Sequence, residues 1–273
     1  MASRFAFDSV RLPAPLLAAG GRAHQAYAAS KLARRVALAR EAIPEGHESG
    51  KPRLFRLLGE AQVLLEPVRR PRRKLAIAPT ANPQVAMILP GFATHPMRMR
   101  YLARQLETAG HVAKRWGLGF NWGPTEENFA AIEARLLQLY ARHGRPVVLI
   151  GWSLGGLYAR EIAKRQPHAV AKVISMGSPF SGSPRANNVW RAYQFITGHS
   201  VDAPPIAAEL RVKPPVETVA MWSANDGVIA PRCAAGRIGE RDRAIPVRCT
   251  HMGFTYDPQV IATLLAELET TRV

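Results

Sequence analysis

The residues most able to do chemistry stand in "RPVVLIGWSLGGLYAREIAKRQP", residues 145 to 167. A short apolar run, Val147 to Ile150, ends at Gly151, and Ser153 follows two positions later. Gly155 and Gly156 come next, and then a helix-like pattern begins. A serine at a hard turn between a buried strand and a helix packs poorly, but its hydroxyl stands clear of the sheet and can react. Gly151-Trp152-Ser153-Leu154-Gly155 fits G-x-S-x-G in the context that pattern requires, strand before and helix after. Side chains at 151 and 155 would collide with neighbouring strands, and the helix behind the serine aims its free amides at developing negative charge.

A serine hydroxyl is a weak nucleophile and needs a base. His251, in "RCTHMGF", follows the last expected strand and precedes the last expected helix, where a base would lean over the serine. His95, after another strand end, is its one serious competitor among eight histidines. The base in turn needs an orienting acid. Asp226, in "MWSANDGVI", follows the strand ending at Trp222, although Asn-Asp-Gly also reads as a plain turn. Asp202 falls in an insert, Asp242 in a charged loop, and Asp257 at a helix start where it can cap. An oxyanion needs two amide donors. Leu154, after the serine, supplies one, and Phe92 in "ILPGFATHP" the other, with Gly91 allowing close approach.

The elements that would position these groups can be read from periodicity. Strands are expected at 85–89, 111–116, 147–150, 170–176, 216–222 and 244–248, and helices at 96–109, 124–144, 155–165 and 258–269. Thr125 caps the helix after it and Gly144 stops it. Such alternation implies an α/β chain with a doubly wound, mostly parallel sheet, whose reactive groups gather at the carboxyl ends of the strands. Residues 177–215 form a Gly-, Pro- and Ser-rich, lid-like insert around a short aromatic helix, 189–196. Trp190, Tyr193 and Phe195 there, together with Trp152, are candidates to line an acyl pocket.

Residues 81–273 resemble the α/β-hydrolase superfamily, and most closely its small bacterial serine lipases and esterases. The resemblance rests on the elbow around Ser153, the strand-following Asp226, and His251, in the chain order Ser-Asp-His that this fold uses. It implies cleavage of carboxylic esters through an acyl-enzyme on Ser153. Two positions depart from common lipase patterns: Pro90-Gly91-Phe92 stands where many carry His-Gly, and Trp152 where many carry histidine. Acyl transfer to an acceptor other than water uses the same triad, so the sequence leaves it open. A cofactor-free haloperoxidase or lyase chemistry has nothing that specifies it. A non-enzymatic basic protein that binds membranes or polyanions is the reading from a different class, and an intact triad argues against it.

Residues 1–80 read as a helical basic extension. Helices are expected at 22–43 and 53–66, the second with Leu54, Leu57, Leu58, Ala61 and Leu65 on one face, interrupted by Gly59. "PVRRPRRK", 67–74, reads as a basic connector. The formal net charge is +17, and residues 1–83, with 15 Lys+Arg and 6 Asp+Glu, hold +9 of it. Such a field attracts an anionic membrane surface or an acidic substrate. No zinc-type spacing, RNA-binding signature or basic heptad array accompanies it, so neither a metal nor a nucleic-acid partner is expected, and no cofactor. No signal peptide or spanning segment is expected, which points to a cytoplasmic protein, peripheral to the membrane at most. Cys233 and Cys249 are then expected to be reduced thiols. The extension is expected to be dispensable for chemistry, since every strand and triad residue lies beyond it.

Overall fold

In a computed structural model of the 273-residue chain, residues 30–43, 50–69, 75–206 and 208–272 are described. Six strands form one sheet: β1 (Val85–Leu89), β2 (Val112–Arg115), β3 (Val147–Trp152), β4 (Val170–Met176), β5 (Glu217–Ser223) and β6 (Arg243–Val247). Every pair is parallel, in the order β2-β1-β3-β4-β5-β6. The chain turns one way from β1 to β2 and the other way from β3 onward. The crevice of such a sheet therefore opens between the ends of β1 and β3. Leu89 pairs with Gly151 there, so the loop carrying Phe92 and the turn carrying Ser153 leave the sheet side by side.

Two-residue alternation along the strands splits the core between the two faces. Ala86 and Ile88 join Leu102 and Leu106 of α3 (Arg100–Thr108) and Val260, Leu264 and Leu268 of α8 (Pro258–Glu269). Val85, Met87 and Leu89 join Phe129, Ile132 and Leu136 of α4 (Glu126–His143) and Ile162 of α5 (Leu154–Arg165). The caps of α4 act as the sequence suggests. The Thr125 side chain accepts from the Asn128 amide at 3.1 Å, and Gly144 closes the helix in the left-handed region, φ 63°. A short helix α7 (Pro231–Ala235) follows the Asp226 loop and has no counterpart among the expected elements; at one turn it is too brief to show a period.

In the extension, α1 (Lys31–Ala39) starts at a Ser30 cap. Of the helix expected at 22–43, residues 22–29 lie outside the described residues, as do Arg70, Arg72 and Arg73 of the basic connector, and residues 40–43 are described but not helical. The second run is α2 (Leu54–Gly59), which continues as a 3-10 stretch, Glu60–Leu65, and a last turn, Glu66–Arg69. Its orientation turns carboxylates rather than leucines inward. Leu54, Leu58 and Leu65 are exposed, Leu58 to 77%, whereas Glu60 and Glu66 are buried, at 9% and 3%.

One charge sits in the middle of the sheet. Lys172 on β4 is fully buried and ion-pairs with Glu217 at 3.2 Å and Glu267 at 3.7 Å, donating also to the Glu267 carbonyl at 2.8 Å. Both carboxylates also pair with Arg243. Removing Lys172 therefore leaves them compensated, and the loss is chiefly volume. Urea denaturation should show Lys172→Ala losing about 2–5 kcal/mol, as for a long buried chain cut to alanine. Lys172→Met, which refills the space, should lie within about 1 kcal/mol of the parent or above it. Equal losses in the two variants would show that charge, not volume, holds this position.

Candidate active site

Ser153 has φ 53° and ψ −122°, one of two non-glycine residues with positive φ among the described residues. L side chains avoid that region, so the surroundings must impose it. They do so by close approach. A Cβ on Gly151 would lie 2.3 Å from the Gly155 carbonyl oxygen, one on Gly155 2.2 Å from the Leu89 carbonyl oxygen, and one on Gly156 1.9 Å from Ser178 Oγ. The Ser153 amide donates to the Met176 carbonyl at 2.8 Å, tying the turn to β4. Leu154 is the first residue of α5, so its amide has no acceptor within the helix.

His251 and Asp226 meet. His251 Nδ1 lies 2.8 Å from Asp226 Oδ2, with both residues buried. The other carboxylate oxygen, Asp226 Oδ1, accepts from the amides of Val228 at 2.8 Å and Ile229 at 2.7 Å. This fixes the carboxylate and leaves Oδ2 for the ring. The Trp152 indole donates to the His251 carbonyl at 3.0 Å, and the two rings lie 5.5 Å apart. His251 is thereby seated on the residue that precedes the serine. Burial pushes the His251 pKa down, but the adjacent Asp226 carboxylate and, more weakly, the negative charge of Glu60 outweigh it, and the net direction is up.

The competing residues have other work. His95 Nδ1 accepts from the Met97 amide at 3.2 Å, and its ring lies 5.2 Å from that of Phe120. Asp202 pairs with Arg185. Asp242 takes Lys213 and the Thr218 amide, each at 2.8 Å, and Asp257 caps α8 through the Gln259 amide at 2.9 Å.

Ser153 opens into a cavity of about 130 Å³ whose walls include Phe92, Leu154, Leu157, Trp190, Tyr193 and Ile229. Trp190 and Tyr193 belong to α6 (Trp190–Thr197), inside the insert. Tyr193 packs against Phe92 with ring centroids 5.1 Å apart, and burial holds its hydroxyl protonated, pushing its pKa up to about 12. Two residues expected to line this cavity do not. Trp152 is buried in the sheet-face core beneath His251, because strand alternation turns it away from the side Ser153 serves. Phe195 lies on the outer side of α6, 41% exposed. A larger cleft, about 810 Å³, lies on the other side of the Pro90 loop among Arg100, Arg104, Lys114 and Arg115 and contains neither Ser153 nor His251.

Sequence reasoning missed two residues. Asn121 is fully buried, and its Nδ2 donates to the Pro90 carbonyl at 2.8 Å. Its main chain also bonds Ala93 and Thr94, so it braces the loop that carries Phe92. Glu60 accepts from the amides of Gly227, His251 and Met252. Asn121 sits in "GLGFNWGP", between an expected strand and an expected helix, and Glu60 on the second expected helix of the extension, and no spacing in either segment marks them. Cys233 and Cys249 are both free and buried, and burial pushes the Cys249 thiol far above its ordinary value. Among the described residues no group of His, Cys, Asp and Glu has the clustering a metal ion would need.

A parallel sheet that switches direction at a strained serine turn is the architecture of an α/β-hydrolase fold. Residues 90–200 match the α/β hydrolase fold family. A metagenome-derived lipolytic enzyme superposes with a TM-score of 0.52 at 17% identity, over 71% of this chain and 99% of that one. The chain has the α/β-hydrolase fold and resembles bacterial lipases and esterases. Two curated relatives match locally. The phosphatidylcholine-sterol acyltransferase of Mus musculus is 35% identical over 69 residues, 23% of this chain and 16% of that protein. The pimeloyl-[acyl-carrier protein] methyl ester esterase of Vibrio parahaemolyticus is 36% identical over 92 residues, 33% of each. The chain thus spans a third or less of the length of either.

The electrostatics of His251 give a direct test. Its ring should titrate above the ordinary value of 6.5 in proton NMR spectra, because the cationic form is favoured. Asp226→Asn removes the larger attraction, so burial should take the midpoint below 6.5. A midpoint that does not move would mean that Asp226 does not govern this histidine.

Proposed function

We propose that the protein hydrolyses carboxylic esters through an acyl-enzyme on Ser153. The observation that carries this reading is the buried 2.8 Å contact between His251 Nδ1 and Asp226, seated through Trp152 on the serine turn. In the proposed sequence, Asp226 holds the Nδ1 proton, so that Nε2 is the free base. Ser153 Oγ attacks the ester carbonyl carbon while its proton passes to Nε2, and the carbonyl oxygen becomes an oxyanion held by the amides of Leu154 and Phe92. The carbon–oxygen bond to the alcohol breaks, and His251 returns the proton to the leaving oxygen. Water then repeats the exchange and frees the acid. The apolar walls around Ser153 suit an acyl chain, with Trp190 and Tyr193 as substrate-binding residues.

The local likeness to an acyltransferase motivates a second reading, in which an alcohol replaces water in the last step. Product analysis with a competing alcohol separates the two: ester product in place of acid would establish transfer.

A fluorophosphonate should label the wild type at Ser153. Ser153→Ala should lose both labelling and turnover of p-nitrophenyl esters while keeping its fold. Asp226→Asn should retain residual turnover, lower by about 10²–10⁴ in kcat. Parent-level hydrolysis by Ser153→Ala would sink the assignment.

We further propose that the extension brings this site to an anionic lipid surface. No helix among the described residues is long and apolar enough to cross a membrane, but the second run presents exposed Leu54, Phe55, Leu58 and Leu64 beside Arg53 and Arg69. Basic side chains at an anionic bilayer contribute about 1 kcal/mol each. Binding should be seen with anionic but not neutral vesicles, and should weaken steeply toward about 0.5 M salt. Replacing Arg69, Arg70, Arg72 and Arg73 with glutamine should remove most of it and spare soluble-ester turnover. Equal binding to both vesicle types, or none, would leave the charge without this role.

A further inference from the structure

Glu60 is the feature that the triad alone does not explain. It lies in the extension, more than 160 positions from the residues it touches, on a run that turns its leucines outward to bury it. Its Oε1 accepts from the Gly227 amide at 2.9 Å and the His251 amide at 2.7 Å, and its Oε2 from the Met252 amide at 2.8 Å. Gly227 follows Asp226 directly. One carboxylate therefore joins the loop that carries the acid to the loop that carries the base. The approach is close: a Cβ on Gly227 would lie 2.5 Å from the Arg56 carbonyl oxygen. The Arg56 guanidinium donates to the Ala224 carbonyl, and Asn188 Nδ2 bonds both Pro52 O at 3.0 Å and Gly227 O at 2.8 Å.

We propose that Glu60 is a positioning residue of this site, fixing Asp226 and His251 relative to one another from outside the catalytic domain. The inference rests on the triad reading above. The loops after β5 and β6 also meet at Ser223 Oγ, which bonds the Cys249 amide and carbonyl, but that contact precedes both Asp226 and His251, and a displacement of about 1 Å in a reacting group costs on the order of a hundredfold in rate. Three backbone amides converging on one carboxylate remove that freedom. The same charge favours the imidazolium that forms as Ser153 gives up its proton. Among the described residues, the charged or titratable groups around the pair are Asp226, the Arg56 guanidinium, and Tyr256 and Cys249, both of which burial pushes up and so keeps neutral near pH 7; Glu66 and Arg98 act on Tyr256, and Asp257 on Cys249.

The test compares full-length wild type, Glu60→Gln and Glu60→Asp by the pH dependence of fluorophosphonate labelling, with kcat and KM on p-nitrophenyl butyrate alongside. Glutamine keeps one acceptor oxygen but turns an amino group toward the Met252 amide and loses the charge. Labelling and kcat should fall about tenfold or more, KM should stay within about twofold, and the acid limb should move to lower pH. Aspartate keeps the charge on a shorter arm, so the limb should stay in place while the rate falls by about threefold or more. A Glu60→Gln protein that labels at the parent rate with an unmoved limb overturns the proposal. If that variant does not fold, Glu60→Asp decides: parent-level rates overturn it, and a slower rate with an unmoved limb supports it. A wild type that labels but cleaves no ester would sink ester hydrolysis alone. One that does not label would sink the triad reading, and this inference with it.

Discussion

The structure turns on the contact between two chain crossings, Gly155 against the Leu89 carbonyl and Gly151 against Gly155 itself. These distances leave no room for a methyl group, and they set where α5 crosses the sheet. Once that crossing is fixed, the residue joining strand to helix has no relaxed conformation available, and Ser153 takes φ 53°. The strain exposes its hydroxyl and points the start of α5 at the space beside it. The Leu89–Gly151 register then puts the Phe92 loop next to that space, where Asn121 braces it.

Three buried ionised groups follow one rule. Asp226, Glu60 and Lys172 are each surrounded by directed partners: two backbone amides and an imidazole, three backbone amides, and two carboxylates with a carbonyl. A buried charge without such partners costs several kcal/mol, and with them it becomes a fixed point from which loops can be hung. Backbone amides matter especially, because they have almost no conformational freedom left to lose once the loop is formed. Arg160 plays this part for the insert. It is fully buried, stacks over Phe180 with its guanidinium carbon 4.1 Å from the ring centroid, and donates to the carbonyls of Leu210, Val212 and Glu240.

What could be read from the sequence was whatever a local period or spacing encodes. The strand Val85–Leu89 and the helix α8 fall where alternation and 3.6-residue spacing put them, and Thr125 and Gly144 bound α4 as their chemistry requires. The elbow was legible because its constraint is local. Trp152 was misread because a bulky aromatic beside a reactive serine suggests a pocket wall, whereas strand parity sends it into the core under His251. Phe195 was misread for lack of a helical phase fixed by neighbours. Asn121 and Glu60 were out of reach for the same reason: their partners are backbone amides and carbonyls, which leave no mark in a sequence. The leucines of the second run left the burial of Glu60 unmarked, because a hydrophobic stripe records which face is apolar, not which face is inward.

That inversion also bears on how the extension is held. An apolar face against the core would contribute a diffuse, non-directional attraction, about 25 cal/mol per Å² of buried area, tolerant of sliding. The observed contacts are directed ones. Glu60 bonds three amides, Pro52 accepts from Asn188, and farther along α1 the Ala39 carbonyl accepts from Arg191 at 2.6 Å while Glu41 pairs with Arg185 at 2.8 Å. Arg185 in turn stacks over Trp190, which walls the cavity at Ser153. Directional bonds fix register where apolar contact fixes only proximity. The extension therefore reaches the site at two places, the loops of Asp226 and His251 and the helix that carries Trp190. It does so through contacts that geometry can transmit, and the leucines of the second run remain on the outer surface.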